Sequence, residues 1–179
     1  MPQLVVVTGP IASGKSVVST ALANRLNAAG LSVAVADLDD TVASMVTPSE
    51  ELERTWDRAR EVHGDLVGQW LSSGVDTVIA HGPFYSASET SALLLKVPAG
   101  IAVRRVMLLT TYEVALDRVR GDSSRGLSKD PVFLRSTYNR FLQLLPDIEV
   151  CEWTFNTTKS GVGEIVTTIS EALLRMRMP

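Results

Sequence analysis

The stretch that decides the fold is Gly9-Pro10-Ile11-Ala12-Ser13-Gly14-Lys15-Ser16, which matches the pattern G-x-x-x-x-G-K-[S/T]. It follows the apolar, β-branched run Leu4-Val5-Val6-Val7-Thr8 and opens a helical stretch. A strand, a tight loop and a helix N-terminus form a phosphate cradle, because loop N–H groups and the helix dipole point at the anion. The pattern therefore predicts a site for a nucleoside triphosphate.

The residue types in this loop predict roles for individual positions. We expect Lys15 to reach the β- and γ-phosphates and to act in catalysis, and the Ser16 hydroxyl to ligate Mg²⁺. Pro10 has no N–H group, so the amides from Ile11 onward would form the cradle. The alternative is a glycine-rich turn between a strand and a helix. The predicted nucleotide contacts are Gly9, Ile11, Ala12, Ser13, Gly14, Lys15, Ser16 and Val17.

The composition is that of an ordinary globular domain, with 179 residues of which 45% are hydrophobic and 21% charged. The net charge of −3 and the pI near 5.4 give no general electrostatic reason to bind nucleic acid or an anionic membrane. The one cysteine, Cys151, excludes an internal disulfide framework. Residues 1–3 have no basic segment typical of a signal peptide, and no apolar stretch reaches membrane-spanning length. We therefore expect a cytoplasmic protein without nucleic-acid or membrane partners.

Predicted strands alternate with predicted helices along the chain, which indicates a parallel sheet with helices on both faces. In such sheets, ligands bind beyond the carboxyl ends of the strands. The phosphate loop and the segments 37–40, 81–84 and 156–158 all follow strands, so we expect them at one edge. Strands are predicted over 4–8, 31–36, 75–80, 102–109 and 150–155, and helices over 16–29, 50–72, 86–95, 111–119, 131–145 and 163–177, with a break at 47–49 and an interruption near Gly64.

With these features, nearly the whole chain resembles the small-molecule kinase branch of the P-loop proteins, which includes shikimate, gluconate and adenylylsulfate kinases and the chloramphenicol phosphotransferases. The phosphate loop carries most of the resemblance, together with the acidic residues after the second strand. Two further segments add to it. They are Val106-Met-Leu-Leu-Thr-Thr-Tyr-Glu-Val-Ala-Leu-Asp-Arg118-Val-Arg120 and Phe155-Asn156-Thr157-Thr158.

The resemblance implies an α/β, three-layer P-loop NTPase fold whose five-stranded parallel sheet has the order 2-3-1-4-5. It implies a single kinase domain over 1–179, with a lid at about 119–131. It also implies ATP- and Mg²⁺-dependent transfer of the γ-phosphoryl group to a hydroxyl of a small molecule, either a metabolite or an antibiotic. The resemblance does not fix this acceptor, and a monomer or a homodimer fits it equally.

Asp37 and Asp39 are candidates for the base, because a kinase acting on a hydroxyl benefits from a carboxylate that accepts or orients the proton. The resemblance places such acids after the second strand. We predict Asp37 as the base and as a Mg²⁺ ligand through water, with Asp39 as the other candidate base and both as acceptor contacts. The alternative is an Asp-rich turn that caps the next helix.

The segment His81-Gly82-Pro83-Phe84 departs from many P-loop enzymes, which carry an acid near this strand end to order Mg²⁺-bound water. Because position 81 is a histidine, Asp37 becomes the candidate for ordering the Mg²⁺-bound water. His81, Gly82, Pro83 and Phe84 are candidate acceptor contacts, with Gly82 permitting close approach. Equally, His81 fits a histidine at the edge of the core that is hydrogen-bonded to backbone.

Three arginines flank a polar, glycine-containing insert. Guanidinium groups neutralise the charge that phosphoryl transfer spreads over oxygens, while a closing lid expels water. We predict Arg120 and Arg125 as catalytic residues of this lid, and Arg118 as a nucleotide contact. The alternative is a solvated run of charge at a helix end, where cations favour the dipole.

Two further groups of polar residues are candidate contacts. Arg54 and Arg58 share a helix face and are predicted to contact the acceptor, against the alternative of an exposed charged helix. Asn156, Thr157 and Thr158 are predicted to border the adenine, against the alternative of an Asn-led turn.

Two other functions fit the same motifs. One is a nucleoside or nucleotide kinase. A related kinase that acts on nucleic-acid ends would require a more basic surface. The other is a regulatory nucleotide-binding ATPase, which the histidine at position 81 favours. The guanine-recognition pattern Asn/Thr-Lys-x-Asp does not occur in the sequence, so we predict ATP rather than GTP.

Overall fold

The structure, a computed structural model, describes residues 2–46, 51–123, 126–148 and 150–177. These residues form five strands and seven α-helices that follow one another along the chain. The strands are β1 (Gln3–Thr8), β2 (Val33–Asp37), β3 (Thr77–His81), β4 (Ala102–Leu109) and β5 (Trp153–Asn156). The helices are α1 (Lys15–Ala28), α2 (Leu38–Ala43), α3 (Leu52–Ser72), α4 (Ala87–Leu94), α5 (Tyr112–Gly121), α6 (Pro131–Leu144) and α7 (Val162–Arg175).

The strands form one parallel sheet in the order β2-β3-β1-β4-β5, which confirms the predicted fold class and strand order. The register aligns the carboxyl ends of neighbouring strands. Val7 of β1 pairs with His81 of β3 and with Val106 of β4, and Asp37 of β2 also pairs with His81. The residues that follow these strands therefore meet at one edge of the sheet.

The core lies on both faces of the sheet because the four central residues of β1, Leu4 to Val7, are all apolar. Successive side chains of a strand point to opposite faces. Val5 and Val7 pack against α1 and α7, whereas Leu4 and Val6 pack against α3 and α4. All four side chains are at most 2% exposed, as expected for a central strand of a parallel sheet. Within the described ranges, no helix is both long and apolar enough to cross a membrane.

Two helices differ from the sequence prediction. The Asp-rich segment begins the short helix α2, because the Asp37 carboxylate caps it by accepting a hydrogen bond from the Asp39 N–H. The interruption predicted near Gly64 is wrong, since α3 runs through it. A Cβ atom at Gly64 would lie 2.4 Å from the carbonyl oxygen of Ala92, so the glycine lets α3 approach α4 closely. The predicted break at 47–49 lies outside the described residues.

Candidate active site

The phosphate loop between β1 and α1 has a backbone that few residue types can adopt. Gly9, Ala12 and Gly14 have φ angles of 148°, 59° and 96°. A Cβ atom at Gly9 would lie 2.1 Å from the carbonyl oxygen of Leu108 on β4, so the loop can sit against the sheet only with glycine there. A loop with alternating left-handed residues directs successive N–H groups toward one anion. Its conformation therefore fits the predicted phosphate cradle.

Lys15 places its positive charge inside this loop. The ammonium donates hydrogen bonds to the carbonyl oxygens of Gly9, at 2.9 Å, and of Pro10, at 3.1 Å, and the side chain is buried. Ser16 follows on the first turn of α1 and is exposed, as is Val17. The exposed hydroxyl and the buried ammonium stand at the helix N-terminus, where a triphosphate would bring its oxygens.

Arg118 of α5 joins the phosphate loop to the turn after β5. Its Nη1 donates to the carbonyl oxygen of Ala12 at 2.9 Å and to Thr157 Oγ1 at 3.0 Å, and its Nη2 donates to the Thr157 carbonyl oxygen at 2.8 Å. Asn156 Oδ1 accepts from the N–H of Thr158, at 3.0 Å, and from its hydroxyl, at 2.6 Å. The structure thus brings Arg118 and all three predicted adenine contacts beside the loop, where Arg118 braces the backbone.

Replacing Arg118 with methionine is expected to weaken binding of a non-transferable ATP analogue about tenfold. The change removes charge-assisted hydrogen bonds that hold the loop and the β5 turn together, a loss of about 1–2 kcal/mol in preorganisation. Isothermal titration calorimetry measures the effect. Arg175→Met is the control, because Arg175 is 68% exposed and pairs with Glu171 on the outside of α7. Unchanged affinity in the Arg118 variant would contradict the bracing role.

Asp37 and His81 face each other at the ends of β2 and β3. His81 Nδ1 lies 3.5 Å from Asp37 Oδ1, and among the described residues this buried nitrogen has no hydrogen-bond partner. Burial, reinforced by the Asp39 carboxylate, raises the pKa of Asp37 to about 6. Burial and the positive charge of Lys15 lower the pKa of His81 to about 4. At neutral pH the imidazole is therefore uncharged. Asp37 is ionised at this pH, but it binds a proton more readily than an ordinary aspartate does.

The residues after His81 fix the end of β3. A Cβ atom at Gly82 would lie 2.8 Å from Leu38 Cβ, so this glycine allows close contact with α2. The Phe84 ring is 3% exposed and packs in the core, and the Phe84 N–H donates to the Thr8 hydroxyl at 3.2 Å. Pro83 between them is half-buried. The roles predicted for the segment 81–84 in acceptor binding stay predictions.

The remaining predicted residues have exposed side chains or lie outside the described part of the chain. Arg54 and Arg58 have side chains that are 68% and 52% exposed, and both pair with Glu51, at 3.8 and 3.9 Å. Asp39 and Arg120 are also exposed, on α2 and α5 respectively. Arg125 lies outside the described residues, within the segment predicted as a lid. The contacts of these side chains with ligands stay predictions.

Sequence reasoning missed a buried carboxylate in the first turn of α4. Glu89 of α4 is 5% exposed, and its Oε1 accepts from Arg60 Nη2 of α3 at 3.0 Å and from Arg140 Nη2 of α6 at 2.8 Å. The neighbouring Tyr85 donates its buried hydroxyl to the Gly9 carbonyl oxygen at 2.9 Å. The spacing of Ser86 and Glu89, a capping box, could have indicated the glutamate, but no local pattern indicates the two arginines.

Oxygen donors at this edge fit Mg²⁺, which prefers one or two carboxylates together with phosphate and water oxygens. The Ser16 hydroxyl and the Asp37 carboxylate supply such donors and would hold the ion. Within the described part of the chain, no three His, Cys, Asp or Glu side chains cluster closely enough to bind a metal ion themselves.

A parallel sheet of this order, with a glycine-rich cradle and a buried lysine after its central strand, defines a P-loop nucleotide-binding protein. The family model described as "AAA domain" matches residues 4–132, and the chain belongs to that family. No curated protein is similar to the chain in sequence at a significant level.

Solved structures that include small-molecule kinases and an antibiotic resistance protein share the fold over nearly the full length of both chains, and the kinases among them confirm the predicted resemblance. Shikimate kinase from Acinetobacter baumannii, in complex with shikimate, is 20% identical with a TM-score of 0.63, and the match covers 100% of this chain and 97% of that chain. A gluconokinase from Sinorhizobium meliloti is 18% identical with a TM-score of 0.61, covering 99% and 98%. The tunicamycin resistance protein of Deinococcus radiodurans is 15% identical with a TM-score of 0.65, covering 97% and 96%.

Proposed function

We propose that the protein is an ATP- and Mg²⁺-dependent phosphotransferase that transfers the γ-phosphoryl group to a hydroxyl of a small molecule. The observation that carries the proposal is the position of Asp37 at the sheet edge that holds the Lys15 cradle, where burial also raises the pKa of its carboxylate to about 6. A general base works best when its pKa lies near the working pH. A nucleotide-gated switch needs the cradle but not this base.

In the proposed reaction, the acceptor hydroxyl gives its proton to Asp37 while its oxygen forms a bond to the γ-phosphorus. The bond from that phosphorus to the β-phosphate bridging oxygen breaks, and ADP leaves with that electron pair. Lys15 stabilises the charge on the β- and γ-phosphate oxygens, and Arg120 and Arg125 would close over them from the segment 119–131. Mg²⁺, held through Ser16 and Asp37, would neutralise part of the phosphate charge.

The nature of the acceptor is proposed from two sources. Proteins of the same fold include a shikimate kinase, a gluconokinase and a tunicamycin resistance protein, so a metabolite or an antibiotic fits. The net charge of −3 favours such an acceptor over a nucleic acid. We place the enzyme in the cytoplasm as a monomer or homodimer.

Incubation with γ-labelled ATP and Mg²⁺ across a panel of sugars, polyols, hydroxy acids, nucleosides, nucleotides and antibiotics tests the proposal. We expect label on one chemical class of hydroxyl compound, and none when the Lys15→Ala variant replaces the wild type. Label on a nucleoside or nucleotide would instead indicate a kinase of that class. Release of free phosphate without any labelled acceptor would contradict the proposal and favour a regulatory ATPase.

A further inference from the structure

We propose that His81 is a positioning residue for Asp37, and that its Nδ1–H holds one carboxylate oxygen so that the other oxygen faces the acceptor hydroxyl. This inference rests on the proposed function and adds a residue to the same site. It follows from where the sheet places the two side chains, from the bonding of the ring nitrogen, and from the unequal bonding of the two carboxylate oxygens.

The sheet fixes the positions of both residues. Asp37 ends β2 and His81 ends β3, and the two are paired directly in the register of the sheet. His81 is also paired with Val7 of β1, and the N–H of the next residue, Gly82, donates to the Val7 carbonyl oxygen at 3.2 Å. Side chains on strands are held more precisely than side chains on loops. The imidazole and the carboxylate therefore face each other in a geometry set by three strands.

His81 presents a buried nitrogen to this carboxylate. The side chain is 3% exposed, and within the described residues its Nδ1 has no hydrogen-bond partner. A buried polar atom without a partner costs free energy. Asp37 Oδ1 lies 3.5 Å away, beyond the usual length of an N–H···O hydrogen bond, and hydrogen bonds at catalytic sites often tighten when substrates bind. Asp37 is therefore in position to become the partner of Nδ1.

The two oxygens of Asp37 differ in their bonding. Oδ1 accepts from the Asp39 N–H at 2.8 Å and faces His81, so two donors can hold this one oxygen and stop the carboxylate from rotating. Oδ2 has no hydrogen-bond partner in the described part of the chain. The side chain of Asp37 is 17% exposed, more than the ring behind it. Oδ2 is thus the oxygen that takes the acceptor proton while the acceptor oxygen bonds to the γ-phosphorus.

This arrangement requires one tautomer of the ring. An ionised carboxylate only accepts hydrogen bonds, so the uncharged imidazole must carry its proton on Nδ1. Histidine ¹⁵N NMR of the wild type at pH 8 measures this directly and needs neither nucleotide nor transfer. The sequence has two histidines, and His63→Gln leaves only the signals of His81. If that variant does not fold, His81→Asn assigns the signals by difference. A proton on Nε2 of His81 would overturn the inference.

The kinetic test compares two substitutions of His81. His81→Leu removes the donor and is expected to lower kcat about tenfold to a hundredfold with the KM for ATP unchanged, because the lost hydrogen bond acts on the base. His81→Asn can place an amide N–H near the position of Nδ1 and is expected to restore kcat to within about threefold of wild type. His63→Gln is the matched control, since His63 is equally buried but bonds to the Ala36 carbonyl oxygen through Nε2.

Equal losses in His81→Leu and His81→Asn, or a wild-type kcat in His81→Leu, would overturn the inference. If His81→Leu does not fold, the tautomer in the wild type and the rate of His81→Asn decide. A wild type that labels no acceptor is a failure of the proposed function, and the role of His81 in transfer then falls with it. A wild type that labels an acceptor but carries the proton on Nε2 is a failure of this inference alone.

Discussion

Replacing Lys15 with alanine is expected to lower phosphoryl transfer by about a thousandfold or more, the largest loss of any single substitution in the phosphate loop. The ammonium is buried within the loop, 2.9 Å from the Gly9 carbonyl oxygen and 3.1 Å from that of Pro10. In the transition state, negative charge spreads over the phosphoryl oxygens, and a fixed cation in a site shielded from water stabilises it strongly. No other described residue places an ammonium inside this loop.

The measurement is the initial rate with saturating acceptor and ATP, together with the dissociation constant of the ATP analogue. Residue 15 is the first residue of α1, and alanine favours helix formation. Circular dichroism should therefore show that the variant is folded. Lys96→Ala is the control, because Lys96 forms an exposed ion pair with Asp65 and should keep the wild-type rate. A Lys15→Ala enzyme with near-normal turnover would remove the loop lysine from the mechanism.

Much of the fold could be predicted because its determinants are local in sequence. The apolar run of β1, the loop pattern and the alternation of strands and helices are each visible within a few residues, and the family resemblance supplied the strand order. Gly64 shows where this fails. Glycine lowers helix propensity, so an interruption was expected there, but contact with Ala92 from another helix requires the small residue. Only the packed structure contains that information.

In the candidate site, too, local sequence patterns predict some residues, whereas contacts between distant elements determine others. The rule that ligands bind beyond strand ends predicts that Asp37 and His81 meet, and the structure places them 3.5 Å apart. Helix spacing led to the prediction that Arg54 contacts the acceptor, and the structure places this side chain, 68% exposed, on the outer face of α3. Arg60 points inward because it meets Glu89, which is 29 residues away in sequence. Such a contact between distant elements leaves no periodic signal.

Replacing Asp37 with asparagine is expected to lower turnover about a hundredfold to a thousandfold while ATP affinity changes little. Asparagine keeps the shape and can still cap α2, but it cannot accept the hydroxyl proton. A loss confined to turnover identifies a group that acts in the transition state. Asp40→Asn is the matched control, since Asp40 is exposed on α2, has no role in the proposed reaction and should therefore retain most of the activity when changed. Near-normal turnover in Asp37→Asn would move the base to Asp39.

The raised pKa of Asp37 adds a second readout that loss of fold would not mimic. In the folded protein the pKa is about 6, above the usual value of 3.8, so folding favours the protonated carboxyl. The resulting stabilisation is fully present below about pH 3.8 and disappears as the pH rises through about 6. Asparagine cannot ionise. Unfolding measured without Mg²⁺ or nucleotide should therefore show Asp37→Asn at least as stable as wild type at pH 8, with the wild type gaining relative stability toward pH 4. If the inactive variant is destabilised at pH 8, Asp37 supports the fold. If it is inactive and stable, the carboxylate serves the reaction and lowers the stability of the folded protein.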